Sequence, residues 1–368
     1  TISTVFDSQC NTENKTPILL VPGILGSTSS HTLGIYPRLP AKRPLWNEGN
    51  MKIHNIVIGG EEYQVVDYIG WEQIKKELQT LGYRENCTIF TVPYYWPDRA
   101  SDNVNNYLIK MIQHAKFVSG SSKVNIIAHS MGGLVVREYL QSDSYSNDID
   151  RVAMVGTPQQ GSVLAYYIWE HGNTIQADGG YTTNLSFLSP AHFFYTHSLQ
   201  KYFQEIRGFS PCINHNVLVT TNIWKLPLYC DSRAIKDFVR EYVPALKELL
   251  PVYNNSLKNK NGNSISSSNM WLRKLNQSFS EHNIEVDMIS YIGDDTPTIE
   301  TLILNNSGHI IETISTQKGD GTVALRSSSI DNIIISTKKG GHGRLPHIFL
   351  GEIIDFIDVP KTQILSDE

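Results

Sequence analysis

The run Val124-Asn125-Ile126-Ile127-Ala128-His129-Ser130-Met131-Gly132-Gly133 limits what this chain can fold into more than any other. Its first five residues are apolar and β-branched enough to read as a buried strand, and residues 132–140 carry the spacing of a helix. A strand that becomes a helix within three residues must pass through a tight, strained turn. Such a turn tolerates only small residues two before and two after its apex, here Ala128 and Gly132, and it lifts the hydroxyl of Ser130 clear of the sheet edge. His129 stands next to the serine in sequence but points away at a turn of this shape, so it reads as a packing residue.

The same alternation extends to both sides. Residues 17–21, 88–92 and 151–156 read as strands, and residues 71–81 and 103–117 as amphipathic helices. Strand and helix in alternation imply an α/β fold with a mostly parallel central sheet and helices on both faces. After Gly161 the alternation stops. The sheet is expected to resume at 284–292, continue through 298–304 and 310–316, and close with 330–337 before a last helix at 345–357. This divides the chain into a core, 1–162 with 284–368, and a cap or lid insertion, 163–283. Within the insertion, the polar run 254–269 is expected to stay mobile. The Pro- and Gly-rich residues 27–69 are too long for a plain connection and read as an irregular covering segment.

The 368 residues carry a net charge of −5, and no Lys/Arg cluster offers a field for a phosphate backbone, so nucleic acid is not an expected partner. No apolar run approaches the roughly 20 residues that cross a bilayer. The four cysteines, Cys10, Cys87, Cys212 and Cys230, lack metal-site spacing. Cys212 and Cys230 bracket a loop-like segment. A disulfide between them, leaving Cys10 and Cys87 as the second pair, would fit a secreted or otherwise extracytoplasmic protein.

A serine in such a turn, at the edge of a parallel sheet, resembles the nucleophile elbow of the α/β-hydrolases. That resemblance implies a base, an orienting carboxylate and an oxyanion hole, with the triad in the chain order serine, acid, histidine. Gly319-Asp320-Gly321 supplies the acid in a loop between strands, with Asp294 and Asp295 as rivals after an earlier strand. Gly340-Gly341-His342-Gly343 supplies the base between the last strand and the last helix. His347 falls inside that helix, and His309 precedes the acid and breaks the order. Two backbone N–H groups must face the developing oxyanion. Met131 follows the nucleophile, and Ile24 follows the Pro22-Gly23 turn after the first strand. None of these parts calls for a metal or a cofactor.

Further pieces narrow the resemblance. Val21-Pro22-Gly23 with Gly26-Ser27, Leu81-Gly82-Tyr83, Pro93-Tyr94-Tyr95-Trp96, Gly156-Thr157-Pro158 with Gly161-Ser162, residues 291–297 and Gly319-Asp320-Gly321-Thr322-Val323 occur in order. Together with the Ser130 elbow they look like the lecithin:cholesterol acyltransferase and lysosomal phospholipase A2 group, and several are shared with bacterial lipases. The resemblance implies an ester-lipid substrate, a Ser130, Asp320 and His342 triad, transient contact with a lipid surface, and an insertion that caps the site. Acyl transfer to an alcohol is the variant reaction, and a non-catalytic binding module of the same fold is the contrasting class. Two departures stand out: residues 27–69 hold no cysteine where the group often has a lid disulfide, and its Tyr-Asp-Trp-Arg stretch here reads Tyr94-Tyr95-Trp96-Pro97. Tyr166, Tyr167, Trp169, Phe193, Phe194 and Trp224 give the insertion aromatic surface suited to an acyl chain.

Overall fold

In a computed structural model of the chain, residues 10, 15–24, 27–28, 52–58, 61–67, 69–171, 212–219, 222–230, 232–281 and 284–358 are described. Six strands form the central sheet: Ile18–Val21 (β1), Ile89–Thr91 (β2), Val124–His129 (β3), Ile149–Val155 (β4), Asp287–Asp294 (β5) and Ile334–Lys339 (β6). Their spatial order is β6-β5-β4-β3-β1-β2, with every neighbouring pair parallel.

Strand alternation divides the apolar side chains between two faces. Leu19, Val21, Ile126, Ala128, Val152 and Met154 face one core, which also takes Met111, Ile112, Leu134, Val135, Leu272, Leu275 and Phe279 from three helices. Ile18, Leu20, Ile127, Ala153, Val155 and Tyr291 face the other, against Trp71, Ile74 and Leu78 and against Phe349, Ile353 and Ile357. Each fully buried aliphatic side chain contributes roughly 1.5–3 kcal/mol relative to exposure. Two buried faces explain why β1 to β4 read as near-continuous apolar runs.

The chain leaves β1 toward β2 at one edge, then returns to the other flank of β1 as β3 and continues toward β6. The connections therefore diverge between β1 and β3, and the carboxyl ends of these two strands border a crevice. In open α/β sheets this switch point is where ligands bind. Ser130 directly follows β3, and Pro22-Gly23-Ile24 directly follows β1.

Three expectations from sequence are corrected. Thr298–Leu304 and Ile310–Thr316 do not continue the central sheet; they pair antiparallel with each other in a second, four-stranded sheet that includes Leu257–Asn259 and Ser264–Ile265. Ile310–Thr316 is the edge strand of that sheet and leaves Ile311 and Ile314 exposed. Residues on both sides of position 283 thus share one sheet, with a small core of Val163, Tyr167, Tyr253, Leu257, Leu302, Leu304 and Ile310. The polar run 254–269 is also ordered, because its side chains bond to backbone instead of solvent. Asn259 Oδ1 accepts from the N–H groups of Asn261 and Asn263, and Asn269 Nδ2 donates to the carbonyls of Glu248 and Leu250. Finally, residues 27–69 contain an antiparallel pair, Lys52–Ile58 with Glu61–Asp67, joined by Ser27–Thr28. Gly59-Gly60 between two alternating runs was the hairpin signal.

Cys10 and Cys87 form a disulfide with a Cα–Cα distance of 5.6 Å across 77 positions. Cys212 and Cys230 face each other in register at the ends of an antiparallel strand pair; their side chains lie outside the described residues. Closing the 77-position loop between Cys10 and Cys87 restricts the unfolded chain by about 4.5 kcal/mol. Cys10→Ser with Cys87→Ser should therefore lower the unfolding free energy by about that amount in urea melts. A loss below about 1 kcal/mol would show that the N-terminal segment is not held by this bond.

Candidate active site

Ser130 adopts φ +54°, a left-handed conformation that ordinary residues avoid, and its N–H donates to Val155 O on β4. This turn must pack closely on its neighbours. A Cβ built on Gly23 would lie 2.7 Å from Ser130 Cβ, and one on Gly132 would lie 2.5 Å from Val21 O and 2.6 Å from Pro22 O. Gly133 packs with equal closeness on the Thr157 side chain. The Ser130 elbow is therefore wedged between the loop after β1 and the loop after β4. The helix Gly132–Leu140 starts here, and its first N–H donor to the turn is Gly133, which bonds Ser130 O. Met131 precedes that ladder, at the positive end of the helix.

The two downstream loops converge on the serine. His342 Nε2 lies 2.9 Å from Ser130 Oγ, and His342 Nδ1 lies 2.7 Å from Asp320 Oδ2. Asp320 is 1% exposed, and its second oxygen, Oδ1, accepts the N–H groups of Thr322 at 2.9 Å and Val323 at 2.7 Å. The His342 N–H donates to Asp320 O at 2.8 Å, so Asp320 and His342 are tied through backbone as well as side chain. Glycines make room for this pair. A Cβ on Gly293 would lie 2.5 Å from Asp320 Cβ, and one on Gly156, at φ +62°, would lie 3.1 Å from His342 Nδ1. The roles of Gly156 and Gly293 are not evident from local pattern; a glycine at the end of a β-rich run is the signal the sequence offers for each.

The rival residues lie elsewhere. Asp295 is exposed and pairs with Lys339 Nζ at 2.6 Å, while Asp294 ends β5 with its carbonyl accepting Gly340 N–H. His347 is exposed on the short helix Leu345–Ile348, and His309 is exposed before Ile310–Thr316. His129 is buried, as a packing residue should be, but it also touches His342. Its Nε2 lies 3.2 Å from His342 O, with ring centroids 4.9 Å apart. Burial above all, followed by the neighbouring His342 ring, pushes the His129 pKa down to about 3, so its ring is neutral and donates Nε2–H to that carbonyl.

Behind Met131 lies a small pocket lined by Asp98, Asn103, Leu134, Glu248 and Trp271. Glu248 Oε2 accepts the Ala100 N–H at 2.8 Å. Burial above all, helped by Glu138 and Asp102, pushes the Glu248 carboxyl from 4.5 up to about 7. Burial and Asp102 push Asp98 up to about 6. Between pH 4.5 and 7 the folded chain holds the Glu248 proton more tightly than the unfolded chain does, so stability falls as pH rises through that window. Glu248→Gln keeps an acceptor for Ala100 and removes the charge. It should raise the melting temperature at pH 8 and leave it unchanged near pH 4.5; equal shifts at both values would exclude this titration.

Residues 61–227 match the family model for lecithin:cholesterol acyltransferase. A phospholipase A(1), LCAT3, of Arabidopsis thaliana is 34% identical over 86 residues, 22% of this chain and 19% of that protein. A triacylglycerol lipase of Pseudarthrobacter phenanthrenivorans is 27% identical over 116 residues, 32% of this chain and 34% of that protein. The matches thus span about a fifth and a third of those relatives. Among solved structures, the mature Bacillus licheniformis lipase BlEst2 aligns with 94% of this chain and 93% of its own at 13% identity, with a TM-score of 0.45. The parallel sheet with a serine at its switch point is an α/β-hydrolase fold, and the matched sequence segments resemble the lecithin:cholesterol acyltransferase group.

Proposed function

We propose that this chain is a serine hydrolase that cleaves carboxylic esters of lipids through an acyl-enzyme. One observation carries this reading: the unbroken chain of hydrogen bonds from Ser130 Oγ through both ring nitrogens of His342 to a buried carboxylate whose other oxygen is held by two backbone N–H groups. With Asp320 accepting Nδ1–H, His342 presents a bare Nε2 to the serine hydroxyl. Ser130 Oγ attacks the ester carbonyl as its proton passes to His342 Nε2. Asp320 stabilises the resulting imidazolium, and the N–H groups of Ile24 and Met131 receive the oxyanion. The intermediate collapses, and His342 returns the proton to the departing alkoxide. Water, deprotonated by His342, then releases the carboxylic acid and restores Ser130.

The substrate class rests on the matched segments and on the names of the relatives that carry them. The family match also favours a second acceptor, because an alcohol entering in place of water gives acyl transfer from the same acyl-enzyme. We further assign the covering of Ser130 to part of 163–283. Tyr167 and Trp169 of that segment are buried in packed cores, so they are not available to an acyl chain. Phe193 and Phe194 lie outside the described residues, as does the Trp224 side chain. Export is part of this proposal and rests on the Cys10–Cys87 disulfide. Among the described residues no helix is long and apolar enough to cross a membrane.

The test is a panel of p-nitrophenyl esters of increasing chain length, beside a phospholipid and a triglyceride, with and without an alcohol acceptor. Turnover that rises with chain length and jumps where the substrate forms an interface is the expected result. Failure of a fluorophosphonate to label Ser130 would return the chain to the class of binding modules.

A further inference from the structure

Among the described residues the loop after β1 shows three anchors, and two of them belong to the elbow itself. Gly23 lies against Ser130 Cβ and His129 O, and the Pro22 carbonyl lies against Gly132. The third comes from elsewhere. Tyr94, three residues beyond β2, is fully buried, and its hydroxyl donates to Pro22 O at 2.5 Å.

This bond acts on a peptide with little other freedom. The proline ring fixes φ of Pro22, so the tilt of the planar Pro22–Gly23 unit depends on ψ of Pro22 alone. Holding the carbonyl oxygen fixes that angle. Gly23 has no side chain and roams φ/ψ space widely, so an unanchored Pro22 carbonyl would leave the next N–H, that of Ile24, poorly aimed.

Building on the reading of the site above, we propose that Tyr94 is a positioning residue for the oxyanion hole: through the Pro22 carbonyl its hydroxyl holds the loop that aims the Ile24 N–H at the developing oxyanion. A buried tyrosine kept only for packing would be replaceable by phenylalanine. A hydroxyl that aims a donor would not, and its loss would be felt in the transition state, where charge reaches the carbonyl oxygen, and hardly at all in the ground state.

Tyr94→Phe, assayed in the full chain on a medium-chain p-nitrophenyl ester, separates these roles. Removing an oxyanion donor outright costs about 10²–10³ in kcat, and loosening one should cost about tenfold to a hundredfold, with KM changed less than about twofold. Active-site titration normalises kcat to folded enzyme. A trifluoromethyl ketone, whose tetrahedral adduct carries the oxyanion, should lose affinity by the same factor as kcat/KM, while inhibition by the free fatty acid stays level. Unchanged kcat, or a fall in kcat that the ketone does not follow, overturns the proposal. Should Tyr94→Phe fail to accumulate, Pro22→Gly loosens the same peptide from its other side. It should give the same split between kcat and KM, and full activity there overturns the proposal equally. Wild-type chain that neither turns over ester nor reacts with a fluorophosphonate defeats the reading of the site and this proposal with it; an active wild type with an equally active Tyr94→Phe variant defeats this proposal alone.

Discussion

Ser130→Ala should lower kcat/KM on an ester substrate by about three or more orders of magnitude, with the melting temperature nearly unchanged, because members of a triad act as a unit. His342→Ala should fall to a similar level, and His347→Ala, exposed on a helix away from the serine, should stay within a few-fold of wild type. Asp320→Asn is the sharper test. One carboxylate oxygen faces His342 Nδ1 and the other faces the N–H groups of Thr322 and Val323. An amide has only one acceptor oxygen, so its NH₂ must meet a donor on one side or the other. If the NH₂ turns to His342, Nδ1 becomes an acceptor and the proton moves to Nε2, where it blocks the serine. If it turns to the loop, two backbone donors lose their partner. A loss of about 10³–10⁴ in kcat is expected by either route. Retained activity in His342→Ala, with loss in His347→Ala, would move the base to the neighbouring helix.

Local signals carried much of the sheet and pointed to the candidate site. A strand-to-helix turn with small flanks admits few conformations, so the position of Ser130 was readable from ten residues. The Asp320 and His342 loops were readable because chain order in such a fold constrains where their partners fall, and the structure brings His342 within hydrogen-bond reach of both Asp320 and Ser130. What sequence did not supply was long-range pairing. Leu257–Asn259 and Thr298–Leu304 lie about forty residues apart and are joined by a ladder that no local pattern announces. Arg137 is similar. It is buried, its pKa pushed down to about 9 by burial, and its two terminal nitrogens donate to Gln159, Asn276 and the Leu275 carbonyl. In sequence it reads as one more surface charge on a helix; in space it ties the elbow helix to Met270–Glu281. The polar run 254–269 misled for a related reason, since composition counts polar atoms without revealing whether backbone partners await them.

Gly23→Val should abolish turnover more completely than any change to the side chain of Ile24. The first atom added, Cβ, would sit 2.7 Å from Ser130 Cβ, 3.2 Å from His129 O and 3.3 Å from Ser130 Oγ, and valine adds two methyl groups beyond it. None of these neighbours is the far end of a flexible chain. Ser130 is held at φ +54° with its N–H bonded to Val155 O, and Gly132 blocks retreat of the loop toward the helix. Relief must therefore come from moving the Gly23–Ile24 backbone or the nucleophile by the better part of an ångström. A misplacement of about 1 Å costs roughly 10²-fold, and a lost oxyanion donor roughly 10²–10³, so a combined fall of about 10³ or more in kcat is expected. Overpacking should also lower stability by about 1–3 kcal/mol, small enough to leave most of the chain folded at 25 °C. Gly23→Ala should lie between wild type and valine, since it adds the clashing Cβ alone. Ile24→Leu, which leaves the backbone N–H in place, should stay within a few-fold of wild type. The measurements are kcat per titrated site and the position of a bound phosphonate. If Gly23→Val turned over ester as fast as Ile24→Leu, or if the phosphonate oxygen lay beyond about 3.5 Å from both the Ile24 and Met131 nitrogens, this loop would not form the oxyanion hole.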